Sequence, residues 1–132
     1  MRLLLDSNAF SLLALGQRQV AELVRGADEV LISVIVLGEL HAGFRRGSRY
    51  AQNMAHLNAF LEEPLASVVP VGSVTADRYA RVSSSLRAKG RPIPTNDIWL
   101  AAHAMETGAD LVSADRQFEH VDGIAWVRLS AS

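Results

Sequence analysis

The chain has 132 residues, 49% of them hydrophobic and 20% charged, with a formal net charge of −1 at pH 7. That length suits one compact domain over residues 1–132, the composition excludes disorder, and near-neutrality leaves none of the basic excess that non-specific nucleic-acid binders carry. The absence of cysteine excludes disulfides and thiolate metal sites, and the four histidines lack the spacing of a zinc site.

Taken in order, Arg2 to Asp6 reads as a short buried strand, followed by helical stretches over Ala9 to Leu15 and Gln17 to Gly26. Glu29 to Val34 is a second strand, and Glu39, Leu40 and Phe44 belong to a helix ending near Arg45-Arg46-Gly47. Ser48 caps a helix running to Glu63 with Met54, Leu57, Phe60 and Leu61 at core spacing, and Pro64 stops it. Leu65 to Val71 is the third strand. Ser73 to Lys89 is an amphipathic helix with Val74, Tyr79, Val82 and Leu86 inward, ended by Gly90 and the loop Arg91-Pro92-Ile93-Pro94. Thr95 or Asn96 caps the helix reaching Gly108. Asp110 to Ala114 is the fourth strand, Gln117 to His120 a helical turn, and Ala125 to Leu129 the fifth strand. This alternation predicts an α/β fold with a central parallel sheet of about five strands covered on both faces. The apolar run at Leu3-Leu4-Leu5 meets Asp6 before it could serve as a signal segment, and no run approaches a membrane span, so a cytoplasmic protein without membrane partners is expected.

Four acids recur at the element junctions. Asp6 and Asp115 close apolar runs, Glu39 follows the second strand, and Asp97 stands at the head of a helix, where the dipole favours a charged carboxylate. In a parallel sheet these positions gather at the carboxyl edge, where ligands bind. Crowded carboxylates repel and persist when a cation neutralises them, and oxygen-only donors select Mg²⁺ or Mn²⁺. Such a site is suited to phosphodiester hydrolysis, with one ion activating water and a second, ~4 Å away, stabilising the leaving oxygen. Ser7 and Ser113 place hydroxyls beside these acids and are candidates to orient a carboxylate, to bind a phosphate oxygen or to cap a turn.

Read together, Leu5-Asp6-Ser7-Asn8, Gly38-Glu39-Leu40-His41-Ala42-Gly43, Asn96-Asp97-Ile98-Trp99-Leu100-Ala101-Ala102-His103-Ala104 and Ser113-Ala114-Asp115-Arg116-Gln117-Phe118 resemble the PIN-domain ribonucleases, and within them the VapC toxins of toxin–antitoxin pairs. The resemblance runs in order along essentially the whole chain. It implies a three-layer α/β/α sandwich, with Asp6, Glu39, Asp97 and Asp115 as metal-binding catalytic acids. It further implies a homodimer, Mg²⁺- or Mn²⁺-dependent cleavage of single-stranded RNA regions, and inhibition by a cognate antitoxin covering the groove. Ser113 stands where the family often has Thr, and the hydroxyl is retained.

Two basic clusters are candidates for RNA contact: Arg45, Arg46 and Arg49, and Arg87, Lys89 and Arg91. The second flanks the loop leading to Asp97 and is the favoured one. Phe10 and Trp99 are expected to pack in the core or at a dimer interface rather than to stack on bases. If the Ser48 to Glu63 helix pairs across a dimer, its apolar residues should exceed what one core hides. A haloacid-dehalogenase-type phosphotransferase would need an acid where Asn8 stands, and a receiver-like domain would need a phosphoacceptor where Gly72-Ser73 stand. A PIN-fold binder without catalysis is the remaining alternative.

Overall fold

The computed structural model describes residues 1–130. Five strands, β1 (Arg2–Leu5), β2 (Glu29–Ser33), β3 (Ala66–Val69), β4 (Asp110–Ser113) and β5 (Ala125–Arg128), form one sheet. All neighbours are parallel, in the order β3-β2-β1-β4-β5. Helices α1 (Ser7–Ala14), α2 (Arg18–Arg25), α3 (Val34–Arg46), α4 (Tyr50–Leu61), α5 (Ser73–Ala88) and α6 (Thr95–Thr107) complete an α/β/α sandwich, with a 3-10 turn over Arg116–His120.

Central strands buried on both faces are apolar through their middles. Leu3, Leu4 and Leu5 of β1 and Leu111 and Val112 of β4 are fully buried, whereas β3, at an edge, leaves Val68 43% exposed. The register sets Leu5 opposite both Ile32 and Val112, so β1, β2 and β4 finish at nearly one level. The chain winds outward from β1 through β2 to β3, then crosses back so that β4 lies on the other side of β1. The reversal opens a crevice at the carboxyl ends of β1 and β4, where an open α/β sheet receives its ligand.

Helix α5 lies antiparallel to α6. Thr75 near its start donates to Glu106 near the end of α6 at 2.5 Å, and Tyr79 stacks on Trp99 with ring centroids 4.2 Å apart. Phe10 is buried and meets Phe60 edge-on at 5.5 Å, so both aromatics pack within the fold as expected.

Several boundaries differ from the sequence reading. Val34 is the first residue of α3 rather than the end of a strand, because the Ser33 side chain accepts from the Ile35 amide and starts the helix at once. Ser48 does not cap α4, which begins at Tyr50 with no side-chain cap. Arg45, lying over the Tyr50 ring at 5.3 Å, ties the two helices instead. Neither Thr95 nor Asn96 caps α6. Pro94 takes the cap position, and Asn96 turns toward another carboxylate. Val74 is 47% exposed while Thr75 is fully buried, a phase shift of one residue set by the Thr75 hydroxyl, which accepts from Gly72 and donates to Glu106. On α4, Leu57 is buried and Met54, Phe60 and Leu61 are half-buried. Among the described residues the exposed large apolar side chains are Met1, Leu15, Val34, Tyr50, Val68, Val71 and Val74, of which only Tyr50 is on α4.

Candidate active site

Asp6 follows β1 directly and is the N-cap of α1, its Oδ1 accepting from the Ala9 amide at 2.7 Å. Its own amide bonds across to the Val112 carbonyl at 3.3 Å, which anchors it at the mouth of the crevice. Asp115 caps the 3-10 turn after β4, accepting from the Gln117 amide at 3.0 Å, while its own amide donates to Ser113 Oγ at 3.0 Å. Asp97 is in the first turn of α6. These three are half-buried.

Glu39 differs. It is exposed and sits on α3, well beyond the end of β2, because that strand gives way to helix at Ser33. Ser7 Oγ donates to its Oε1 at 2.6 Å, and Asn96 Nδ2 reaches its Oε2 at 3.4 Å. Ser7 therefore orients a carboxylate, one of the three roles its position suggested. Asn96, read in the sequence only as a cap, joins α6 to α3 at the site.

The four acids lie close enough to act on one another electrostatically. Asp97 is pushed up to about 6, first by burial and then by the charges of Asp115, Glu39 and Asp6. Asp6 is also raised, chiefly by burial. The buried Ser113 hydroxyl and the Ala9 amide pull it down, and Asp115 and Glu39 push it up. Ser113 thus serves both strand-end acids.

Among the described residues, no three acidic or imidazole side chains converge tightly enough to ligate one ion as placed. Like charges with nothing between them to neutralise them favour side-chain arrangements that stand apart. The donor set of carboxylate and hydroxyl oxygens fits a hard divalent cation.

The favoured basic cluster is distributed differently. Lys89 donates to the His120 carbonyl at 2.8 Å and pairs with Asp122 at 2.8 Å, whereas Arg87 and Arg91 are exposed.

Sequence reading also missed His103. It is fully buried, its Nε2 donating to the Pro70 carbonyl at 3.0 Å and its Nδ1 meeting Ser33 Oγ at 2.9 Å. It ties α6, which carries Asp97, to the ends of β2 and β3. A histidine flanked by Ala102 and Ala104 in an apolar helix was the available signal.

The PIN domain family model matches residues 3–124. Ribonuclease VapC5 of Mycobacterium tuberculosis is 28% identical over 128 residues, spanning 95% of this chain and 91% of its own. A chain of the crystal structure of VapBC2 from Rickettsia felis, bound to a DNA fragment from their promoter, superposes with a TM-score of 0.87 at 24% identity, covering 98% of this chain and 100% of that one. A chain of VapBC-5 from Mycobacterium tuberculosis, a member of the VapBC family of toxin–antitoxin systems, superposes with a TM-score of 0.76 at 27% identity, covering 97% and 98%. With the family model spanning nearly its full length and the sandwich fold in agreement, the chain belongs to the PIN domain family.

Proposed function

We propose that this protein is the ribonuclease toxin of a toxin–antitoxin pair, hydrolysing RNA phosphodiester bonds with Mg²⁺ or Mn²⁺ held by Asp6, Glu39, Asp97 and Asp115. The observation that carries the reading is the gathering of these acids at the switch point of the sheet, where burial first, and then the charges of its three neighbours, raise Asp97 to about 6. Relatives named as ribonucleases support the reaction class, and the two-component VapBC structures support an antitoxin partner.

A divalent cation in this site supplies the positive charge that activates water and stabilises the developing charge on the phosphoryl oxygens. The chain's own residues set the stage for it. Asp6 and Asp115, fixed by backbone amides at their strand ends, are preorganised ligands. Ser7 aims Glu39, and Ser113 favours the charged form of Asp6. Burial and its neighbours' charges make Asp97 hold its proton, and a cation that offset those charges would let it go more readily.

A homodimer is part of the proposal, supported by Val34, Val68, Val71 and Val74, each at least 40% exposed at the start of α3, on the edge strand β3, in the loop after it and at the start of α5. No helix among the described residues is long and apolar enough to cross a membrane, in keeping with an RNA substrate met in the cytoplasm.

The test is incubation of purified protein with an RNA panel in Mg²⁺, in Mn²⁺ and in EDTA, beside an Asp6→Asn variant checked for folding. Cuts that require metal and Asp6 establish the reading. RNA that is bound but never cut under any condition makes the chain a PIN-fold binder, and failure to bind either metal or RNA overturns the proposal.

A further inference from the structure

Two clefts meet at Glu39, and each leads to an arginine. On one side an open cleft of about 510 Å³ runs along α3 from Glu39 and Asn96, over Gly38 and Ala42, to Arg46. On the other side a cleft between α1 and α3 leaves Glu39 past Ser7, Asn8 and Ser11 to Asn53. It shares Ser11, Phe44 and Asn53 with a further hollow of about 280 Å³ that ends at Arg49 and His56. Glu39 is the point the first two have in common.

The charges along this path are distinctive. Arg45 is occupied by the Tyr50 ring, but Arg46 and Arg49 are exposed and form no ion pair among the described residues. Between the two arginines the walls offer mainly neutral hydrogen-bonding groups from Ser7, Asn8, Ser11 and Asn53. The α5–α6 cluster contrasts with this, because its central cation, Lys89, is already neutralised by Asp122. Arg87, Lys89 and Arg91 border neither of the clefts that meet at Glu39.

Gly38 gives a second, independent indication. It lies inside α3 with ordinary helical backbone, and a Cβ built there would meet nothing within 4 Å, so neither conformation nor internal packing calls for glycine. Glycine in such a place weakens the helix and flattens the face it presents, which is useful where a ligand passes close to the backbone.

We infer that a single-stranded RNA backbone crosses the site along α3, from Arg46 over Gly38 and Glu39 to Arg49, so that phosphates on both sides of the scissile bond each meet one guanidinium. The inference rests on the ribonuclease reading and specifies the substrate path within it. It assigns phosphate contact to the α3–α4 arginines rather than to the α5–α6 loop.

The test is equilibrium binding of a short, fluorescently labelled single-stranded RNA in Mg²⁺ at several salt concentrations, on an Asp6→Asn background that blocks cleavage. Each of Arg46→Gln and Arg49→Gln is expected to weaken binding severalfold, and the pair together to reduce the log–log salt slope by about one to two. Arg87→Gln with Arg91→Gln should leave the slope within error. Gly38→Met, which the open space around its Cβ allows to fold, should weaken binding by filling the cleft. Intact binding in the Arg46, Arg49 and Gly38 variants, with loss in the Arg87 and Arg91 pair, overturns the path while leaving the nuclease reading untouched. A change of molecular mass by light scattering in the Arg46 or Gly38 variants, with RNA binding unchanged, also overturns it and makes this face a contact between two copies of the chain. Absence of RNA binding in the parent protein, with no cleavage by the wild type, removes the nuclease reading and the path with it.

Discussion

Ser7 and Glu39, 32 residues apart in sequence, are joined by a hydrogen bond of 2.6 Å from the Ser7 hydroxyl to Glu39 Oε1. The contact links the first turn of α1 to the middle of α3 and holds the one exposed acid of the four. A hydrogen bond to a charged group is worth roughly 1.5–3 kcal/mol, so Ser7→Ala should reduce kcat/KM for RNA about tenfold or more with little change in melting temperature. Ser7→Thr, which keeps the hydroxyl, should recover most of it. Equal kinetics for wild type and Ser7→Ala across a metal titration would show that Glu39 needs no such support.

Asp97 ties stability to pH. Its folded-state pKa of about 6 lies above the ordinary carboxylate value of 3.8, so its penalty on the metal-free fold is absent below the unfolded pKa and grows as pH rises through 6. With the shift discounted because the group is only half-buried, the penalty at neutral pH is on the order of 1 kcal/mol. In EDTA, Asp97→Asn should therefore be more stable than wild type at pH 7.5 and equal to it near pH 4. Urea unfolding at the two pH values checks this, and a variant that gains nothing at pH 7.5 would contradict it. Mg²⁺ should reverse the order at pH 7.5, stabilising the wild type more.

His103 is a structural hinge-pin for the same acid. His103→Phe keeps the ring volume but leaves the Ser33 hydroxyl and the Pro70 carbonyl without their partner in a buried setting, which should cost about 2–4 kcal/mol. Chemical denaturation gives the number. A loss below about 0.5 kcal/mol would mean that water or a rearranged Ser33 replaces both bonds.

Two glycines make opposite predictions. Gly108 ends α6 at φ +71, in the left-handed region, so Gly108→Ala should destabilise by about 1 kcal/mol. Gly38→Ala, in a helix interior with nothing near its Cβ, should stabilise by up to about 1 kcal/mol. Thermal melts of the pair compare them directly, and the same sign for both would defeat the account of Gly38 as a residue retained for something other than the fold.

The sheet and its acids were legible in the sequence where one residue decides its own placement. Asp6 and Asp115 close buried apolar runs, and a charge cannot enter a strand covered on both faces, so they had to fall at its end. Asp97 was readable from its place after the Pro92–Pro94 loop. Glu39 was placed correctly in a helix, but its distance from the strand depended on Ser33, whose cap starts α3 sooner than the run through Val34 suggests. The contacts of Asn96 and His103 were not legible, because each depends on a partner from another element, Glu39 in one case and Ser33 with Pro70 in the other. Val74 misled for a related reason. The helical phase is set by the buried hydroxyl of Thr75, which periodicity counts as polar.

The amides that bind Asp6 and Asp115 constrain how this protein could change over time. Each side chain closes a helical turn as well as facing the crevice, through Ala9 in one case and Gln117 in the other. A descendant abandoning cleavage could replace Glu39 or Asp97 with almost any side chain at small structural cost. At positions 6 and 115 it would still need a short acceptor, and asparagine or serine meets that demand without the charge. A lineage of silenced copies should therefore drift freely at 39 and 97 while remaining confined to Asp, Asn, Ser and Thr at 6 and 115, a record of two obligations carried by one atom.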